Sequence, residues 1–247
     1  MKVSLAKNDR RVFALLILMF VSLAGLLLLP PITQDQRYHE FADQRTFITP
    51  NFLNVISNIP FVAIGAAGLW QFRRSPAIVM LFLGILLTGF GSTYYHLDPN
   101  DRTLLWDRLP MTITFMAILA IAIEERVDAK AGAALLWPLI ATGVFSILVW
   151  RWTGDLRLYG WVQFFPCFAL PLLFLLLSPQ YSGTSYWLVA AALYALAKVF
   201  EFYDDKIFSA GSILSGHTLK HLFAAAACFA ILRYFQTRQP VVAHNRP

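Results

Sequence analysis

Separate stretches of about twenty apolar residues recur along this chain, and that pattern restricts its fold more than any other feature. They cover about 12–31, 51–71, 77–96, 108–124, 132–150, 159–177, 185–203 and 214–235. A helix rises 1.5 Å per residue, so about 20 residues cross the roughly 30 Å hydrocarbon core of a bilayer. Composition agrees with that solvent. Only 14% of the 247 residues are charged and 58% are hydrophobic, whereas a soluble domain carries about a quarter charged residues. The mean hydropathy is +0.59. The predicted fold is therefore an all-α, polytopic membrane helix bundle of eight spans.

The net charge of +6 raises the question of nucleic acid. The basic residues are scattered over short loops and form no stripe, so they read as topology signals instead. Lys2, Lys7, Arg10, Arg11, Arg73, Arg74, Arg126, Lys130, Arg233, Arg238 and Arg246 fall on one side of the membrane in this arrangement. They outnumber those on the other, which predicts cytoplasmic N- and C-termini. The first apolar run shows no small-x-small cleavage pattern near Pro30, so it is expected to remain as a helix. Cys167 and Cys228 sit inside apolar runs and suggest no disulfide framework. Thr49 and Pro50 read as the cap and first turn of the second span. Trp70, Trp106, Trp152 and Trp161 fall near span ends, where interfacial tryptophans collect.

Five histidines are present. His39 lies in a loop and His244 in the tail. His96, His217 and His221 end or begin apolar spans, and the predicted topology puts all three on the outer side. His217 and His221 are four residues apart and share one helical face. Ser92 and His96 repeat that spacing on another span. Three imidazoles with an open fourth position suit catalytic zinc. Two histidines on separate membrane helices also suit haem, but haem gives Ser92 and Asp107 no task. Asp107 follows a short loop and returns close to His96. Ionisable groups inside spans are expensive and point to function.

Gly91-Ser92-Thr93-Tyr94-Tyr95-His96, then Asp107-Arg108-Leu109-Pro110-Met111, then His217-Thr218-Leu219-Lys220-His221 resembles the signature of the alkaline ceramidases. That family belongs to a superfamily of membrane hydrolases that includes the adiponectin-type receptors. Asn51 to Asn58 is similar to the family's N-x-x-S-N helix, so the resemblance covers about 40–235. It implies a seven-helix core over 37–236, an extra N-terminal helix and link over 1–36, and a short cytoplasmic tail over 237–247, all one membrane domain. It implies zinc on His96, His217 and His221, Asp107 holding and deprotonating the zinc-bound water, and Ser92 as a polar contact beside the metal. The implied reaction is hydrolysis of a ceramide-like lipid amide to a fatty acid and a sphingoid base. A receptor-like protein with slow turnover on the same scaffold is the first alternative, and a haem protein the second. No nucleic acid and no obligate protein partner are expected.

Eukaryotic members carry a calcium site before the first core helix, built on D-W-x-E-x-N and a later glutamate. The corresponding stretch here is Arg37 to Ala42, with Asn51 at the later position, and it retains only Glu40. Calcium is therefore a doubtful expectation, resting on Glu40 and Asp43 in another register. Lys198, Glu201, Asp204 and Lys220 have two readings: a layer that orients the zinc ligands, or ion pairs at the membrane edge. Asn51, Asn54 and Asn58 share one face and are expected to bind helices together.

Overall fold

The computed structural model describes the backbone of residues 2–241 and the side chains of residues 10–241. His244 and Arg246 lie outside the described residues, and the side chains of Lys2 and Lys7 do too. The described residues are mostly helical. Its helices are α1 (Lys2–Leu27), α2 (Phe52–Ile56), α3 (Ile59–Gln71), α4 (Pro76–Leu97), α5 (Asp101–Arg126), α6 (Ala129–Thr153), α7 (Arg157–Leu176), α8 (Thr184–Phe202), α9 (Asp204–Gly211) and α10 (Gly216–Thr237). With α2 and α3 taken as one span, eight are long and apolar enough to cross a membrane. Large apolar side chains such as Phe20, Phe168, Leu176 and Phe202 face outward. Lipid solvates such a surface and water does not, so this is an integral membrane protein.

The second span starts differently from the sequence expectation. Thr49 and Pro50 are not helical, and the cap is Asn51, held in the left-handed region at φ 50°. The span then breaks at Ser57 and Asn58, just before Pro60. The carbonyl of Asn54 there takes hydrogen bonds from the Ser57 hydroxyl (3.0 Å) and the Asn58 amide (2.8 Å). Side chains thus satisfy a backbone acceptor at the break, as a buried kink requires.

Helix α5 is the axis of the bundle, packed by α4, α6 and α7. It begins at Asp101, earlier than the apolar run suggested, because Asn100 caps it in a reciprocal capping box with Thr103. Pro110 lies inside it and removes the N–H that would bond the Trp106 carbonyl. Gly91 of α4 packs directly on that carbonyl. A Cβ at Gly91 would come within 2.0 Å of the Trp106 oxygen, so no larger residue fits there. This contact sets α4 against α5 one residue from Ser92 and one from Asp107.

Helix α1 docks against α7. Trp161 Nε1 donates to Ser22 Oγ (2.9 Å) and an Arg157 guanidinium nitrogen donates to the Leu27 carbonyl (2.7 Å). This corrects the interfacial reading of Trp161, which is buried and stacked on Phe165. Trp70, Trp106 and Trp152 are exposed.

Candidate metal centre and its cavity

His96 comes from the last turn of α4, and His217 and His221 come from the first turns of α10. All three are buried, and their ligating nitrogens lie within 4.8 Å of one another. The Nε2 atom of His96 is 3.2 Å from that of His221 and 3.3 Å from that of His217. A tetrahedral zinc with ligands at about 2.0–2.1 Å has ligand–ligand edges of about 3.3–3.4 Å. Both His96 edges match that geometry, and the triad could hold a metal ion. Among the described residues it is the only group of histidine, cysteine or carboxylate donors close enough to hold a metal ion.

The surrounding hydrogen bonds fix the rings. Ser57 Oγ gives its proton to the Asn54 carbonyl and lies 2.8 Å from His221 Nδ1. A hydroxyl has one proton, so toward His221 it accepts, which places the imidazole proton on Nδ1 and the lone pair on Nε2. Sequence reasoning missed this contact and read only the neighbouring asparagines, as packing groups. Those asparagines bond as well. Asn51 donates to the His96 carbonyl (2.9 Å), and Asn54 accepts from the Thr218 hydroxyl (2.8 Å). Phe41 lies against the rings of His96 and His217, closing the triad from the loop side.

The four charged residues named beside the ligands sort into two groups. Asp204 accepts from the His217 backbone N–H (2.7 Å) and from that of Ala42 (3.0 Å). It can reach because Gly216 packs on the Phe200 carbonyl, where a Cβ would meet oxygen at 2.1 Å. Glu201 is bonded by Lys198, by Lys220 (3.2 Å) and by the Tyr38 hydroxyl (3.2 Å). Lys220 Nζ also sits 2.9 Å from His217 Nε2. Ammonium and metal compete for that nitrogen, and Glu201 offers the ammonium another partner.

Asp107 lies in the second turn of α5, seven residues after the cap, so it is not the residue that caps this helix. Its carboxyl faces the Ser92 hydroxyl, and both residues are buried. Glu40 and Asp43 form no comparable site. Asp43 is buried beneath Arg45, whose Nε and Nη2 donate to its two oxygens (2.8 and 2.7 Å), and the guanidinium holds that carboxyl below the usual range. Glu40 is exposed. His39 serves the loop instead, between the Tyr95 hydroxyl (2.8 Å) and Asp101 (3.0 Å).

Ser92, Asp107 and His221 border a cavity of about 960 Å³. Its walls are mostly apolar, and it extends to Phe174, Trp187 and Ile231. Ser22 and Leu26 of α1 also line it. The site thus offers an apolar channel with a cluster of polar and ligating groups at one end.

A search of curated proteins finds no match to this chain. A family model described as Ceramidase matches residues 44–245, which leaves α1 outside the matched segment. That match covers most of the chain, and the chain belongs to the ceramidase family.

Proposed function

We propose that this protein is a zinc-dependent hydrolase that splits a ceramide-like lipid amide into a fatty acid and a sphingoid base. The observation that carries the proposal is the histidine triad at the polar end of a long apolar cavity. His96, His217 and His221 would hold the metal. A bound zinc supplies a Lewis acid that polarises a carbonyl and lowers the pKa of water.

The chain's own residues then have the following tasks. The cavity takes the acyl chain, whose burial from water offers about 0.8 kcal/mol per CH₂, and so directs the amide to the polar end. Asp107 accepts a proton from the attacking water and returns it to the leaving nitrogen as the C–N bond breaks. Ser92 orients that carboxylate or donates to the carbonyl oxygen as charge gathers there. Ser57 keeps His221 in the tautomer that presents Nε2. Lys220 and Lys198, sharing Glu201, keep the mouth of the site cationic. Haem fits less well. A macrocycle must lie between two ligating rings, and here the ring nitrogens are already in contact.

The test is zinc content and hydrolysis of a short-chain ceramide and of its phosphate, measured on one preparation before and after chelation. One zinc per chain with turnover that chelation removes supports the reading. Zinc without turnover favours the receptor-like alternative, and a Soret band favours haem. The basic-residue bias supports the reading that this end of the bundle lies outside the cytoplasm. Cysteine introduced at exposed Lys206 should label from outside in intact cells. Labelling only after permeabilisation would reverse the topology.

A further inference from the structure

Arg108 stands out among the residues the mechanism above does not use. It is 94% buried, since its relative exposure is 6%, and it borders the cavity next to Asp107. Its Nη1 has no hydrogen-bond partner. It takes part in none of the ion pairs among the described residues. A buried guanidinium left in that state is costly.

Three aromatic faces hold it in place. Its Cζ lies 4.6 Å from the ring centre of Trp150, 4.8 Å from Tyr159 and 5.3 Å from Tyr38. These rings stabilise the charge, yet an aromatic face cannot accept the in-plane N–H bonds that a guanidinium offers to an anion. The other buried arginine, Arg126, shows the contrast. It also lies over a ring, that of Phe174, but its two Nη atoms donate to the Leu177 carbonyl (3.2 Å) and the Thr184 hydroxyl (2.7 Å).

The charge count at this end agrees. Arg108, Lys198 and Lys220 line the cavity with Asp107 and Glu201, and one carboxylate, Glu201, serves both lysines. A metal on the triad adds further positive charge. The cage is also near the reacting end, because Tyr38 bonds Glu201, Glu201 bonds Lys220, and Lys220 reaches His217.

We propose that Arg108 anchors an anionic group on the head of the ceramide-like amide, so that lipid amides carrying a phosphate or a carboxylate there are preferred to their neutral counterparts. This deepens the amide-hydrolase reading and rests on it only for the bond that is cut. The acyl chain fills the apolar channel, the amide lies at Asp107 and the triad, and the anion on the nitrogen side pairs with the guanidinium.

Two measurements test it on the zinc-loaded, full-length protein in detergent. The first is the affinity for two ethers that have no amide to cut, hexadecyloxyacetic acid and 2-hexadecyloxyethanol. Wild type should bind the acid about tenfold or more tightly, the worth of a charge-assisted bond. Arg108→Gln should abolish that preference and Arg108→Lys should keep part of it. A preference that survives in Arg108→Gln would place the anion on the metal instead and overturn the proposal. Equal binding by wild type overturns it without any variant. The second measurement is kcat/KM for N-palmitoylglycine and a short-chain ceramide phosphate, each against its neutral counterpart, N-palmitoylethanolamine and ceramide. Faster turnover of either charged amide supports the proposal and tells carboxylate from phosphate. Cleavage that favours the neutral amides overturns it and leaves the hydrolase intact. If no amide is cut while the ethers still discriminate, the hydrolase reading fails and the anion site stands.

Discussion

The two ends of the bundle handle buried charge in opposite ways. Helix α5 links them, with Asp107 near one end and Glu125 near the other, about 27 Å apart at 1.5 Å per residue. At the Glu125 end the carboxylate accepts from both the Tyr234 hydroxyl and Arg238, while Arg126 bonds Leu177 and Thr184. Among the described residues the buried polar orphans there are the Arg126 Nε and Trp187 Nε1 donors, and the two buried charged groups, Glu125 and Arg126, each have partners. At the Asp107 end three imidazole nitrogens face one another, and His96 Nδ1 and Arg108 Nη1 have no hydrogen-bond partner. Burial of polar groups is expensive in both places. Where the groups are matched among themselves, the network holds helices together. Where they converge and remain unmatched, they are the groups that the proposals above assign to a metal and a lipid head group.

Removing a ligand-type histidine should give the largest effect. His96→Ala, His217→Ala and His221→Ala should each lose bound zinc and all turnover, because two imidazoles leave the site short of the three ligands that catalytic zinc uses. Elemental analysis of purified variants checks this, and one zinc per chain retained in any of them removes that histidine from the ligand set. Asp107→Asn comes next. Zinc should remain, and turnover should fall by about 10²–10⁴, mainly in kcat, since proton transfer belongs to the transition state. The structure gives capping to Asn100, so a silent Asp107→Asn cannot be explained by a cap role and would leave Asp107 without a catalytic task. Loss of zinc would instead make it a ligand.

How much of this could be read from the sequence differs between the two ends and between layers of the site. The spans were legible because lipid demands long apolar runs. The triad was legible because H-x-x-x-H places two rings on one face and the order of spans puts His96 at the same end of the bundle. The break in the second span was not. Apolar periodicity continues through Ser57 and Asn58, and the only signal is Pro60 following a serine–asparagine pair. With the break hidden, Ser57 had no visible reason to point at His221. Asp204 was legible only as part of a charged row, because its contact with the His217 backbone depends on the close approach at Gly216. Arg108 sits within the motif that carries Asp107, and nothing in its neighbours along the chain reveals a cage built from Tyr38, Trp150 and Tyr159. Long-range contacts of this kind belong to packing and leave no local trace.

Ser57→Ala should give a smaller effect that separates the ligands from the layer behind them. It removes the acceptor that holds the Nδ1 proton of His221, and the ring can then flip or change tautomer. Such partners change metal affinity by about 10–100-fold. Competition with a chelator should therefore show weaker zinc, while turnover at saturating zinc stays within about an order of magnitude of wild type. Unchanged zinc affinity would reduce Ser57 to a partner of the Asn54 carbonyl at the helix break.

The smallest effect on the chemistry is expected at the opposite end, from Glu125→Gln. The change preserves shape and removes the charge that faces Arg238, while the amide still presents one acceptor to the Tyr234 hydroxyl. Glu125 is 5% exposed, so water compensates little. The loss of one charge-assisted contact should cost roughly 1.5–3 kcal/mol of stability, seen as a lower melting temperature in detergent. The rest of that network stays bonded, because Arg126 reaches Leu177 and Thr184 without Glu125. Zinc affinity and kcat should not change, since no hydrogen bond from Glu125 leads toward the triad. The cavity gives this prediction its edge. Its far wall includes Phe174 and Trp187, which lie under Arg126 and beside Tyr234. If the end of the acyl chain rests there, Glu125→Gln should raise KM for long-chain amides and leave short-chain ones alone. A fall in kcat for both lengths would show that the two ends are energetically coupled, and the separation drawn between them would fail.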